Sequence, residues 1–161
     1  MPLIECVPNV SEGRRADVIT PLARVIDGPG VRLLDQSSDP SHNRTVYTFV
    51  GEAEPVQAAV LRLISFAIAL IDLRTHTGVH PRVGAVDVVP FVPLDPTTMA
   101  ACVAVARSTA QLVANRHALP VFLYEEAVQH EHRRNLAEIR RGGFEGLESR
   151  MRDPAWHPDF G

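Results

Sequence analysis

The chain has 161 residues, of which 45% are hydrophobic and 22% charged, and its formal net charge is -3. That is enough chain for one domain with a single buried core, too apolar for disorder and too acidic for a nucleic-acid footprint. Every Lys/Arg position is arginine, which excludes chemistry that needs a lysine, such as a Schiff base or a P-loop.

Met1 leads straight into "PLIECVPNV" without a basic or long apolar leader, and Cys6 and Cys102 are the two cysteines. Two reduced thiols in a cytoplasmic protein are expected. The greasiest run, "LISFAIALI", lies between Arg62 and Asp72 and falls well short of the roughly twenty residues a membrane span needs. It predicts a buried helix and no membrane partner.

In chain order, "PLIECVPNV" predicts a strand that ends in a loop at Pro8-Asn9. "RRADVITPLARVID" places Val18, Leu22, Val25 and Ile26 on one helical face, with Pro21 as a point of limit or kink. "VRLLDQ" predicts a second strand, "SSDPSHN" a polar turn, and the alternating "RTVYTFVG" a third strand. "EAEPVQAAVLRLISFAIALIDL" is the strongest helix. "GAVDVVPFVPL" follows as a fourth strand whose Pro90 and Pro93 suit an edge. A second long helix, "DPTTMAACVAVARSTAQLVANRHA", has Asp95 or Thr97 to cap it. "LPVFLYEE" predicts a fifth strand, and "AVQHEHRRNLAEIRR" a polar helix halted by Gly142-Gly143. The tail from Phe144 lacks strong periodicity.

The first six elements give an α+β chain with the ferredoxin-like split βαβ pattern, its helices on one face of the sheet, extended by a further helix, strand and C-terminal helix. The other face is left for a ligand or partner. Three strand-end loops concentrate polar residues: Asn9, Ser11, Glu12 and Gly13; Asp39, Ser41, His42, Asn43 and Arg44; and His76, Thr77, Gly78, His80 and Arg82. Loops on a rigid scaffold are where function collects. Each loop also has a plainer reading: Ser11 as an N-cap with Glu12 at the positive helix end, Asn43 as a turn residue, Arg44 as a surface partner of Asp39.

His76 and His80 stand four apart, a metal-binding spacing on a helix, but Gly78 and Pro81 make a helix through them improbable and no carboxylate lies within the loop. No metal is expected. Either histidine taken singly could be a buried structural one. A histidine between glycine and proline turns, with Arg82 two residues on, fits an acid–base role better.

"ECVPNVSEG", "HNRTVYTFVG", "HTGVHPRVGAVDVVPF", "LPVFLYEEA" and "WHPDFG", collinear along essentially the whole chain, resemble the N-terminal subdomain of the glutamate formiminotransferase family. The resemblance implies a glutamate formimidoyltransferase that moves the formimino group from N-formimino-L-glutamate to N5 of tetrahydrofolate, the co-substrate, in histidine breakdown. It implies His80, the histidine before proline in "HTGVHPR", as the catalytic acid–base, and Gly161 as the start of a folate-contacting segment. Asn9, Glu12, Asp39, Asn43, Arg44 and Arg82 are the expected substrate contacts. On this reading residues 1–150 form the subdomain, and 151–161 a linker toward a C-terminal subdomain, in cis or as a separate chain, that supplies the other wall of the folate cleft. An uncovered docking face makes a homodimer unsurprising. The competing reading is a non-catalytic folate-binding or pairing module related to the same half.

Overall fold

A computed structural model describes residues 1–161. The first strand is interrupted at Pro8, giving β1 (Ile4–Cys6) and β2 (Asn9–Val10). Helix α1 (Ala16–Ile26) runs through Pro21 without stopping. The hairpin β3 (Val31–Asp39) and β4 (Arg44–Gly51) comes next, then α2 (Ala53–Leu70). The fourth strand is also interrupted, at Val89-Pro90, into β5 (Val86–Val88) and β6 (Phe91–Pro93), and α3 (Met99–His117) follows.

All pairings are antiparallel, with β4 between β3 on one side and β1–β2 on the other, and β5 and β6 pairing with β2 and β1 respectively. Each broken strand behaves as one line, because a proline lacks a ladder donor but keeps its carbonyl. Pro8 still accepts from the Tyr47 amide at 3.1 Å. The sheet therefore has four lines in the order second, third, first, fourth, the ferredoxin-like order that the split βαβ pattern predicts.

The alternation of β4 decides the two faces. Thr45, Tyr47, Phe49 and Gly51 are buried, while Arg44, Val46, Thr48 and Val50 are only partly covered. Tyr47 reaches through the core to donate to the Ile19 carbonyl at 2.8 Å. The core joins Leu22 and Ile26 of α1, Val56, Val60 and Leu63 of α2, and Ile4, Cys6 and Phe49 of the sheet, all at most 1% exposed. By length and hydropathy α2 would pass for a membrane span. Its apolar side instead closes this core, where burying each such side chain contributes about 1.5–3 kcal/mol.

Beyond α3 the chain departs from the expected pattern. The α3 cap is Thr98, whose hydroxyl accepts from Ala101 N, rather than Asp95 or Thr97. Residues 119–126 form no strand. Their backbone groups are taken by the tail: Val121 N donates to Phe160 O, Asp159 N donates to Val121 O, and Leu123 N donates to the Asp159 carboxylate. The polar stretch 127–141 is not one helix but a 3-10 turn (Glu131–Arg133) and α4 (Leu136–Arg140), whose start is capped by Asn135. The cause is Arg133, which turns inward to the Asp159 carboxylate at 3.0 Å, with both side chains at most 2% exposed.

The tail is also structured. Helix α5 (Gly143–Arg150) is followed by a turn at Pro154–Trp156, and the Arg150 guanidinium lies 4.4 Å from the Trp156 ring centre. Removing one member of a buried ion pair strands the other charge, so Asp159→Ala should lower stability by about 3–5 kcal/mol in urea unfolding. Glu148→Ala, which breaks the exposed pair with Arg152, should leave it unchanged.

Candidate active site

Three loops meet at the tip of the β3–β4 hairpin. In the turn, Asp39 Oδ1 accepts from the amides of Ser41 and His42 at 2.8 and 3.0 Å, a local bond of the kind that favours aspartate in turns. The chain then passes through Asn43 in the left-handed region, at φ 52°.

Asn43 is 6% exposed and binds in three directions. Its Oδ1 accepts from Gly13 N at 2.8 Å, its Nδ2 donates to Thr77 O at 2.9 Å, and its carbonyl accepts from His76 Nε2 at 3.0 Å. Glycine makes this approach possible on both sides. A Cβ at Gly13 would stand 2.4 Å from Asp39 O, and one at Gly78 would stand 2.4 Å from His42 O.

Helix α1 has no side-chain cap; Glu12, rather than Ser11, holds the turn that leads into it. Its carboxylate accepts from the amides of Arg14 and Arg15 and from Arg15 Nε, at 2.7–2.9 Å. Burial pushes its pKa up, but the hydrogen bonds from Arg15 and Arg14 outweigh burial and hold it below the usual carboxylate value. Ser11 turns the other way, donating to Gly84 O at 2.7 Å.

The loop carrying His80 is braced from below. Asp87, its side chain 3% exposed, accepts from Val83 N at 2.6 Å and Gly84 N at 3.3 Å and pairs with Arg140 at 2.7 Å. Arg82 Nε donates to His76 Nδ1 at 2.9 Å, which fixes the His76 proton on Nε2, and its remaining nitrogens meet both carboxylate oxygens of Glu145 at 2.8 and 2.9 Å. That fork holds Glu145 down to about pKa 2.

Above this support sits the His80 ring, half-buried, with its centre 5.5 Å from that of His42. Arg44 Nη1 lies 2.6 Å from His80 Nε2. An arginine can only donate, so Nε2 is the unprotonated nitrogen. Burial lowers the His80 pKa first, and the charges of Arg44 and Arg140 lower it further, against a backbone hydrogen bond at Pro81 and the charge of Asp87. The imidazole is neutral at neutral pH and can accept a proton.

His80, Asn43, Arg44 and Arg82 thus come together in one cleft with Ser11, His42, His76 and Asp87, and no apolar side chain lines it. Its enclosed volume is about 10 Å³, room for no more than one water, so a substrate must lie over it rather than inside it. A larger cavity of about 870 Å³, between α3, the fourth strand and residues 119–127, is lined mainly by hydrocarbon and holds no comparable polar cluster.

The other expected residues fall elsewhere. Asn9 lies in β2, where its side chain reaches the Val7 carbonyl at 3.5 Å. Gly161 packs against the Leu119 carbonyl, with φ 92°. Glu12 and Asp39 hold their own loops. Neither Asn9, Glu12, Asp39 nor Gly161 lines the cleft. Asp87 and Arg140 were not expected, although a single carboxylate inside the apolar run "GAVDVVPF" is a visible signal.

The family profile described as formiminotransferase domain, N-terminal subdomain, matches residues 3–161. The chain belongs to the formiminotransferase N-terminal subdomain family. It is 42% identical over 160 residues to the glutamate formimidoyltransferase of Streptococcus pyogenes serotype M1, covering 99% of this chain and 54% of that protein. It is 43% identical to the glutamate formimidoyltransferase of Thermoplasma acidophilum, covering all of this chain and 54% of that one. Against the formimidoyltransferase-cyclodeaminase of Sus scrofa the identity is 45%, over 99% of this chain and 30% of the relative. The subdomain thus spans about half the length of the monofunctional relatives and less than a third of the bifunctional one.

Two measurements check the geometry. Asn43→Ala should cost about 1–3 kcal/mol in chemical denaturation and speed amide exchange at Gly13, whose donor loses its acceptor. The Glu12 contribution has a definite pH sign. A carboxylate with a lowered folded-state pKa stabilises above its ordinary value of 4.5 and loses that effect as pH falls through the folded value. Thermal stability should therefore decline on acidification below about pH 4.5, and Glu12→Gln should flatten the decline.

Proposed function

We propose that this subdomain is the His80-bearing half of a glutamate formimidoyltransferase, transferring the formimino group of N-formimino-L-glutamate to N5 of tetrahydrofolate. The observation that carries the reading is His80: a neutral imidazole with Nε2 unprotonated, at the rim of a wholly polar cleft. The names of the relatives support the reaction.

The chemistry needs one group to move a proton twice. Attack of the N5 amine on the formimidoyl carbon leaves a proton on N5, and the glutamate nitrogen must gain one before its bond to that carbon breaks. Nε2 of His80 takes the first proton and returns it to the leaving amine. Such a group typically contributes about 10²–10⁴-fold. Arg44 is placed to meet a substrate carboxylate, whereas Arg82, held by Glu145 and His76, braces the loop. The shallow cleft supports a second wall supplied by a C-terminal subdomain, and bringing both substrates together there would add a proximity effect. Tetrahydrofolate enters as a co-substrate, and no step calls on a metal. Cytoplasmic location belongs to the same proposal; Cys6 and Cys102, buried as free thiols, support it.

The test mixes this chain with formiminoglutamate and tetrahydrofolate, alone and with the C-terminal half of the Streptococcus pyogenes relative. Turnover in the mixture is expected, and His80→Gln should reduce it by about 10²–10⁴-fold while circular dichroism stays unchanged. Undiminished turnover in His80→Gln would remove His80 from the mechanism. Folate binding without turnover under any condition would favour a non-catalytic module.

A further inference from the structure

Arg44 is the cleft's one guanidinium without a carboxylate. Arg82 is held by Glu145, and Arg140 by Asp87. Asp39, opposite Arg44 in the strand register, accepts instead from the amides of Ser41 and His42, and its Oδ2 lies 3.4 Å from His42 Nδ1. Arg44 holds the base instead, with Nη1 2.6 Å from His80 Nε2. The lone pair that a proton acceptor uses is therefore occupied by Arg44.

The contact joins a cation to a neutral ring. A carboxylate would offer the same guanidinium an opposite charge and a two-point fork, which is the stronger arrangement. Arg44 stands on the partly covered face of β4, away from the core, where an incoming anion can reach it.

We propose that Arg44 is a carboxylate-operated cap on His80: in the free protein it occupies the Nε2 lone pair, and a carboxylate of the incoming donor draws it off and frees that nitrogen. The proposal rests on the acid–base role given to His80 above and makes Arg44 a positioning residue for it. The base then becomes available only when the carboxylate-bearing substrate is seated.

The groups facing His80 set the sign of the accompanying charge effect. Arg44 from β4 and Arg140 from α4 hold the ring neutral, Asp87 from β5 acts the other way, and His42 from the hairpin turn stands beside it. Pairing Arg44 with a carboxylate cancels one of the two repelling charges, so the affinity of His80 for a proton rises as its lone pair is released. Both changes favour proton uptake.

The test follows His80 by nitrogen-15 and carbon-13 NMR of labelled histidine in the full 161-residue chain, its signals identified by their loss in His80→Gln. The wild-type ring should carry its proton on Nδ1 and titrate below ordinary histidine. L-glutamate, compared with sodium chloride at equal ionic strength, should move the Arg44 Nε–H resonance and raise the His80 midpoint. Arg44→Gln should raise the midpoint without ligand and abolish the response to glutamate. An unchanged midpoint in Arg44→Gln would overturn the proposal, as would a glutamate response that survives the substitution. Absence of any wild-type response at saturating glutamate would overturn it too. If Arg44→Gln loses its folded amide spectrum, the wild-type titration decides alone. None of these readings uses transfer activity, so a failed cap and a failed transferase assignment are told apart.

Discussion

The site hangs on one side-chain amide. Asn43 binds the loop before α1, the loop leading to His80 and, through its carbonyl, the His76 ring, all from a position closed to water. Its left-handed backbone turns the hairpin so that these groups point outward from the tip, and Gly13 and Gly78 remove the side chains that would keep the loops apart. Each bond is modest by itself. Together they convert three loops, normally the mobile parts of a fold, into one rigid corner.

Charge is distributed around that corner with a consistent logic. The two buried carboxylates of that corner, Glu12 and Asp87, are consumed by backbone amides and by arginines, so each fixes a loop rather than facing the cleft with a free negative charge. What remains near His80 is positive, from Arg44 and Arg140, and a histidine in positive surroundings stays neutral. A neutral ring suits proton acceptance, and an unpaired guanidinium beside it suits anion binding. The two properties come from the same arrangement.

Local pattern made much of the first two-thirds of the chain legible. The alternation of "RTVYTFVG" and the apolar face of α1 depend on burial against one sheet, and burial of that kind leaves a periodic trace. The four-line sheet followed, although Pro90 divides a strand that the pattern joined, and the first strand resumes at Asn9 where the pattern ended it. "LPVFLYEE" misled because aromatic and branched residues record a half-buried surface, not the presence of a strand partner. Arg133 was hidden more deeply: nothing local distinguishes a buried arginine from a solvated one, and its partner Asp159 lies 26 residues away. In the cleft, the meeting of His80, Asn43, Arg44 and Arg82 was visible as loop clustering. Asn9, read from the same loop clustering, and Gly161, taken from the resemblance, sit outside it. Asp87 was visible only as a charge where an apolar side chain would be ordinary.

The grip of Glu145 on Arg82 ties α5 to the loop that presents His80, and Arg140 of α4 does the same through Asp87. The buried residues of the main core all lie within the sheet, its first three helices and their connections, yet the reactive corner takes part of its shape from residues that come later in the chain. A chain cut after α3 would keep the buried core residues and lose both ion pairs that brace the loop of its key imidazole. Architecture and chemistry here have different minimal lengths, and anyone grafting this corner onto another scaffold would need to carry two short C-terminal helices along with it.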